Sequence, residues 1–469
     1  MVHFGQGFSP SIDRPPGKVC PWIFLLIALV ALALRLAPLL RRGSDWAMAN
    51  VDSARYTELA DGIRAGCGFA PLLNGRCGRP EVLRTPGYSL LLAAIPSLRL
   101  VVAVQAIIGA ALCLAIGCFV HRLWDMHAAL IAEAILAIDL PSIVQGSRIL
   151  SDTLFQGLIA SAILLQIAVI ARGLWDRRAI AMVSTASGLL AFAILVRPVG
   201  ILLPIIAPLP LIFLAAFDWR KRATAMLLMF AIPALTTVGW AARNAERTGV
   251  WTVTTDAALD LYYFKAGGVV WYRSHQDFSD VMDALARRLG YPNANDYPDT
   301  PATLEPRMTS DAIHILLDDP VATILMTTRS FLWLIVVPDR GGLNELLGTQ
   351  AGATSYLAAT SEIGARFKQL FQSPLLTVLV LFQLILTALT WVGAAFAVIR
   401  LRGRPPREIA VVLIPFGVAL AMILLASGAE AYARYRMPAL PLIAIVAGAG
   451  WSGAPVRMGA ATKRRSVSD

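Results

Sequence analysis

Residues 20–40, CPWIFLLIALVALALRLAPLL, form an apolar run broken by one charge, Arg35. A helix rises 1.5 Å per residue, so about 20 such residues cross a hydrocarbon layer of about 30 Å. The run is too long for the apolar core of a signal peptide, and no small-residue cleavage site precedes RRGSDW (41–46). It reads as a retained first membrane span. The whole chain agrees: 57% of its 469 residues are hydrophobic and only 15% are charged, which excludes an ordinary soluble domain.

Further apolar runs cover 99–120, 128–147, 151–171, 179–196, 199–217, 223–241, 374–399, 409–427 and 437–453. The 41 Lys and Arg outnumber the 30 Asp and Glu, but the excess lies in short loops between these runs, not in a nucleic-acid-binding face. ARGLWDRR (171–178), DWRKR (218–222), RLRGRPPRE (400–408) and Lys463–Arg464–Arg465 are such loops. Basic loops stay on the cytoplasmic side. About ten spans are therefore expected, with both termini inside and the 41–98 and 242–373 segments outside. The expected layout is a cytoplasmic tail 1–19, a membrane core 20–241 with the outer loop 41–98, an extracytoplasmic and interfacial region 242–373, spans within 374–453 and a basic tail 454–469. The run 321–337 would reverse RLRGRPPRE if it crossed, so it is expected to lie in the interface as an amphipathic helix.

The first outer loop holds the densest group of ionisable residues, VDSARYTELADGIRAGCGFAP (51–71). Read as a helix beginning at Asp52 and ending at Gly66, it places Asp52, Arg55 and Tyr56 on one face. Asp is a favoured N-cap, so a purely structural role is one reading. Cys67 and Cys77 share a compartment in which disulfides persist; their short separation permits a bond without requiring one. Arginines recur at the outer ends of other segments: Arg84 with Tyr88 in EVLRTPGYSLLL, Arg197 in LVRPVG, Arg243 with Asn244 in GWAARNAERTG, and Arg434, Tyr435 and Arg436 in EAYARYRMPALP. Arg35 lies within the first span. Charges at membrane depth are costly, and each marks a functional candidate. Together they suggest a site for an anion, and the anion at that depth is a lipid phosphate, which suits the planar guanidinium fork. Asp52 and Glu58 supply carboxylates able to accept a proton.

The order D-x-x-R-Y (52–56), R-T-P-G-Y (84–88), S-D-T-L-F (151–155), V-R-P-V-G (196–200), W-A-x-R-N (240–244) and R-Y-R-x-P-x-x-P (434–441) resembles the GT-C integral-membrane glycosyltransferases. The branch is the one that includes lipid A aminoarabinose transferases and bacterial dolichyl-phosphate-mannose protein mannosyltransferase-like enzymes. The resemblance implies an all-α polytopic GT-C fold with outer juxtamembrane helices, in a bacterial inner (plasma) membrane. It implies transfer of a sugar from a polyprenyl-phosphate donor to a hydroxyl on a lipid, glycan or protein acceptor, on the extracytoplasmic face and with inversion. Asp52 matches the family's essential acid. Arg55, Tyr56, Arg84, Tyr88, Arg243, Arg434, Tyr435 and Arg436 match donor-binding positions. Two departures bear on acceptor geometry: Asp152 stands where the family commonly has Glu, and Ser89 where Pro is usual. No required cofactor and no nucleic-acid partner are expected; the histidines lack ligand spacing, and a divalent ion on Asp52 remains open.

A transporter or flippase of lipid-linked sugars is the rival reading. Such proteins bind near the bilayer midplane on broken helices, for which Glu133 and Asp139 are the best candidates; polar contacts between packed helices are the expected alternative for both. The topology predicts that a cysteine placed at Asn295 reacts with an impermeant thiol reagent in intact cells while one placed at Gly403 does not. The reverse labelling would overturn this arrangement of spans.

Overall fold

The computed structural model describes residues 21–206, 218–294, 302–348 and 373–458. Seven of its helices are long and apolar enough to cross a membrane: α1 (Pro21–Ala47), α4 (Leu98–Leu123), α7 (Asp152–Arg172), α8 (Arg177–Val196), α9 (Trp219–Thr248), α14 (Pro374–Ile399) and α15 (Pro406–Leu425). The chain is thus a multi-pass membrane protein. Between α1 and α4 lie the short helices α2 (Val51–Arg64) and α3 (Pro86–Ala94).

α1 and α4 run antiparallel, with Phe24 against His121 and Arg35 against Gly109. One end of the bundle therefore carries the 48–97 loop. The other is basic: Arg407 lies against Gly173, Arg400 donates to the Gly450 carbonyl, and the Arg457 amide donates to the Leu123 carbonyl at 2.6 Å. α8 finishes at the loop end, where the Leu195 carbonyl meets Gly87, whereas α9 begins at the basic end. Residues 207–217 of the expected span 199–217 lie outside the described ones.

Two expected spans, 128–147 and 437–453, take a different form. The run 128–147 is two helices, α5 (Met126–Ile138) and α6 (Leu140–Gly146), bent by 47° at Asp139. The run 437–453 is a 3₁₀ turn, Ala433–Ala439, leading into α16 (Leu440–Ser452). Its small and apolar residues are almost all buried, which makes it a central packing element; Gly448 and Gly450 let α5 and α14 approach closely. The run 321–337 is α12 (Pro320–Val336), reached from α11 (Glu305–Asp318) across a 101° bend. Ser330 bonds to Gly428, and Arg436 donates to the Leu334 and Ile335 carbonyls at 3.1 and 2.6 Å. Gly428 and Arg436 both sit where α15 and α16 meet the loop end, so α12 is moored along that end. Val321, Ile324, Leu325 and Leu332 face outward from it.

The break in the α5–α6 pair explains Arg35. Ending α5 at Ile138 strips its last carbonyls of helical partners, and buried carbonyls without partners are costly. Arg35 donates to Leu136 O at 2.8 Å and Ala137 O at 3.5 Å, and to its own Ala31 O at 3.2 Å. Asp139 caps α6, accepting from Ser142 N and Oγ at 3.0 and 2.7 Å and from Gln383 Nε2 at 2.8 Å. Asp139 therefore makes the expected interhelical contact. Glu133 does not: it is buried against Gly117, and neither carboxyl oxygen has a hydrogen-bond partner among the described residues. Replacing Arg35 with Met should lower unfolding stability in detergent by about 3 kcal/mol, because the α5 carbonyls lose a charged donor. Unchanged stability would show that another group caps the break.

Candidate active site

The loop between α1 and α4 is assembled from local signals. Asn50, not Asp52, caps α2: its side chain accepts from the Asp52 amide at 3.0 Å. The cap therefore lies two residues before Asp52, and the Asp52 carboxylate, inside the first turn, is left free for other partners. Past Gly66, Asn74 and Gly75 both take positive φ and join a two-residue ladder, Leu72–Leu73 with Arg76–Cys77. Such turns favour an Asn-Gly pair. Cys67 and Cys77 are bonded, which closes this hairpin, and Gly62 admits the Ala70 carbonyl where a Cβ would collide.

Glu81 organises the turn that leads into α3. Its Oε1 accepts from the Leu83 and Arg84 amides at 2.6 and 3.3 Å, and its Oε2 pairs with Arg55 at 2.7 Å. Arg243 donates to the Glu81 and Phe69 carbonyls at 2.8 and 3.1 Å. Arg55 and Arg243 thus hold the loop from which Arg84 projects.

Arg84 projects into a cavity of about 550 Å³ at the loop end, lined also by Asp52, Tyr56, Arg434 and Tyr435. Asp52 lies between two guanidiniums: Arg84 Nη2 donates to Oδ1 at 2.6 Å and Arg434 Nη1 to Oδ2 at 2.9 Å. Arg84 Nη1 also contacts both oxygens of Asp256 at 3.1 Å. Across the cavity Arg197 pairs with Asp152, and Tyr435 donates to Glu430. Arg434 and Arg197 lie over the Tyr435 ring at 5.2 and 6.0 Å, and Tyr56 Oη meets Ser151 Oγ at 3.2 Å.

Charge is finely matched here. Burial alone would raise the proton affinity of Asp52, but the Arg84 and Arg434 charges outweigh it and hold the carboxyl well below the usual carboxylate range. Burial pushes Glu430 the other way, against the opposing pull of Tyr435 and Arg434. Asp260 is reached by solvent through the cavity; its apolar walls, with Asp256 and Glu430 nearby, raise its proton affinity. Asp52, Asp152, Asp256, Asp260 and Glu430 face Arg84, Arg197, Arg434 and Lys265, so carboxyl groups outnumber cations. An entering anion must compete with a carboxylate for its arginine.

Of the residues singled out in the sequence, Asp52, Tyr56, Arg84, Arg434 and Tyr435 share this cavity, with Arg197 and Asp152. Four others lie behind its walls. Arg55 and Arg243 brace the loop; Tyr88 is buried, edge-on to Tyr56 at 4.8 Å with its hydroxyl donating to Gln105 at 2.5 Å; Arg436 anchors α12. Glu58 forms only a long pair with Arg55, at 3.7 Å. Sequence reasoning passed over Asp256, Asp260, Lys265 and Glu430. The first three sit in a segment without a span-like or amphipathic pattern, and Glu430 lay four residues before a motif already noted. Among the described residues no three His, Cys, Asp or Glu side chains gather as a metal site; Asp52 and Asp256 are turned to Arg84.

No family model and no curated protein matches the chain. Solved structures do match. The Archaeoglobus fulgidus oligosaccharyltransferase AglB, solved with an inhibitory peptide and a dolichol-phosphate, superposes with a TM-score of 0.50 at 15% identity, covering 91% of this chain and 50% of that one. An Archaeoglobus fulgidus oligosaccharyltransferase tethered to an acceptor peptide gives 0.50 at 14%, covering 92% and 49%. ArnT from Cupriavidus metallidurans bound to undecaprenyl phosphate gives 0.40 at 17%, covering 93% and 78%. The chain spans about half the length of the oligosaccharyltransferase structures. The likeness establishes the fold, the all-α polytopic GT-C fold expected from the sequence.

The pairing of Asp52 with Arg84 predicts non-additive stability. In a cycle of Asp52→Asn, Arg84→Ala and the double variant, the coupling measured by unfolding should be about 1–3 kcal/mol at neutral pH. Since the folded Asp52 has a depressed proton affinity, this contribution is present above the ordinary carboxylate pKa, about 4. It is lost as pH falls through the lower folded value. Additive single variants would show that the pair carries no energy.

Proposed function

We propose that the protein transfers a sugar from a polyprenyl-phosphate-linked donor to an acceptor hydroxyl, on the extracytoplasmic side of a bacterial plasma membrane and with inversion at the anomeric carbon. The observation that carries this reading is the Asp52 carboxylate held between Arg84 and Arg434 in a cavity at the loop end of a membrane bundle. The likeness to an oligosaccharyltransferase solved with a dolichol-phosphate supports it.

The chemistry arises from competition. The donor's phosphate takes the guanidiniums of Arg84 and Arg434, whose planar forks suit its oxygens. Asp52 loses two stabilising charges, faces a new anion, and becomes a stronger base. As the acceptor oxygen attacks the anomeric carbon, its proton passes to Asp52. The bond to the phosphate oxygen breaks, and the electron pair leaves with the polyprenyl phosphate, whose developing charge falls on the two arginines. Donor binding thus creates the base, and proton abstraction from an acceptor before the donor arrives is disfavoured. Tyr56 and Tyr435 line the sugar's path. Arg55, Tyr88, Arg243 and Arg436 act as positioning residues from behind the walls. The acceptor is a lipid, glycan or protein hydroxyl, and no cofactor enters these steps.

A transporter reading gains nothing from the break between α5 and α6, because Arg35 and Asp139 already satisfy its ends. The test is Asp52→Asn. It should abolish transfer by about 10²-fold or more, while undecaprenyl phosphate binds at least as tightly as to the wild type, because a competing carboxylate has gone. Arg84→Ala should weaken that binding about ten-fold or more. Transfer by Asp52→Asn within a few-fold of wild type would remove Asp52 from the chemistry.

A further inference from the structure

Arg84 has two carboxylate partners, and they are held differently. Its Nη2 donates to Asp52, which is shared with Arg434 and rides on α2, while its Nη1 meets both oxygens of Asp256 at 3.1 Å. Asp256 is tied to the same turn that carries Arg84. The Thr255 amide donates to the Val82 carbonyl at 3.0 Å, the Thr254 hydroxyl to the Leu83 carbonyl at 2.5 Å, and the Asp256 amide to that hydroxyl oxygen at 3.1 Å. Behind them Asn244 Nδ2 donates to the Thr252 and Val253 carbonyls at 2.9 and 3.1 Å, which fixes the segment to the end of α9. Asp256 therefore keeps its place beside the Arg84 backbone whatever Asp52 does. Arg434 is seated differently: besides Asp52, it donates to the Tyr435 hydroxyl at 3.5 Å.

The difference matters because Asp52 is the partner that lets go. A guanidinium stays charged at any ordinary pH, and a charge in a mostly apolar cavity that loses its counter-ion is costly. When a phosphate draws Arg84 from Asp52, or a proton neutralises Asp52, the contact between Nη1 and Asp256 is left in place. One end of the guanidinium is fixed and the other exchanges partners. A long side chain that is already ordered loses less freedom on meeting an anion than one that must first be immobilised, a difference of about two- to ten-fold in affinity.

We infer that Asp256 is a positioning residue for Arg84, holding its guanidinium aimed into the cavity in every state of Asp52. The inference rests on the reading of Arg84 as a phosphate holder given above, and adds to it the group that aims the arginine. Asp256 acts through Arg84 and not on the transferred sugar. As a negative charge near the phosphate it also repels, so its removal has two opposed consequences: lost aim weakens binding of an anion, and lost repulsion strengthens it. Variants that remove the charge alike, but differ in what they leave for Nη1, separate the two.

The experiment compares Asp256→Asn with Asp256→Ala in the purified full-length protein, each alone and combined with Arg84→Ala. Both remove the charge; Asn keeps an oxygen for Nη1, and Ala does not. With Arg84 present, Asp256→Ala should bind undecaprenyl phosphate about five-fold or more weakly than Asp256→Asn. Combined with Arg84→Ala, the two should bind alike. Equal binding with Arg84 present would overturn the inference, and so would a difference that survives Arg84→Ala, which would make Asp256 a support of the loop alone. A measurement without lipid reads the same hold independently. Asp256→Ala should lower the unfolding temperature by about 2 °C or more beyond its effect in the wild type when Asp52→Asn is also present, because Arg84 then lacks both carboxylates. An equal loss in the two backgrounds would show that Asp256 does not hold Arg84 once Asp52 is gone. Failure of the wild type to bind undecaprenyl phosphate at all would overturn the sugar-transfer reading, and the unfolding comparison would then decide the hold of Asp256 on Arg84.

Discussion

Everything at the loop end turns on one carboxylate shared between two arginines. Two guanidiniums this close repel each other, and Asp52 between them makes their proximity stable. Arg84 is in turn shared between Asp52 and Asp256, so α2, the 81–85 turn, the 256–266 segment and the Arg434 turn are tied by a single chain of alternating charge. Exposed pairs of this kind are worth little; these are only about one-fifth exposed, and their removal one at a time would leave an uncompensated charge in a cavity with apolar walls. The same matching that stabilises the cavity makes it responsive, because a phosphate that satisfies the arginines must release the carboxylate.

The bundle beneath spends its polar groups on its own irregularities. The bend at Asp139 leaves backbone groups that Arg35, Gln383 and Asp139 satisfy from three helices. That assignment separates two kinds of buried arginine that look alike in the sequence: one completes a broken helix, and the others reach a cavity. Arg436 belongs with the first kind, since it terminates α12 while its neighbours Arg434 and Tyr435 line the cavity.

The membrane character of the chain was legible because apolar run length is a local property, and the basic loops were legible because charge in short loops is as well. The helix of the first loop could be read for the same reason, and so could the possible pairing of its two cysteines: these signals all lie within 30 residues. Asp52, Arg84 and Arg434 stood out because charges at span ends are rare. What could not be read was the pairing. Which arginine meets Asp52 and which meets Glu81 depends on packing between segments as far apart as 382 residues. Asp256 and Asp260 carried no signal, because an acid outside a span is ordinary until the fold brings it to a cavity. The helix cap was misplaced by two residues, since Asn50 and Asp52 are equally good caps and only the chain's exit from α1 chooses between them.

The central claim is that a donor phosphate and Asp52 compete for the same two arginines. A structure of the full-length protein with undecaprenyl phosphate tests this most directly. The account predicts the phosphate within hydrogen-bond distance of Arg84 and Arg434, with the Asp52 carboxylate released from at least one of them and open to the cavity. A phosphate bound elsewhere, with Asp52 still seated between both guanidiniums, would contradict it.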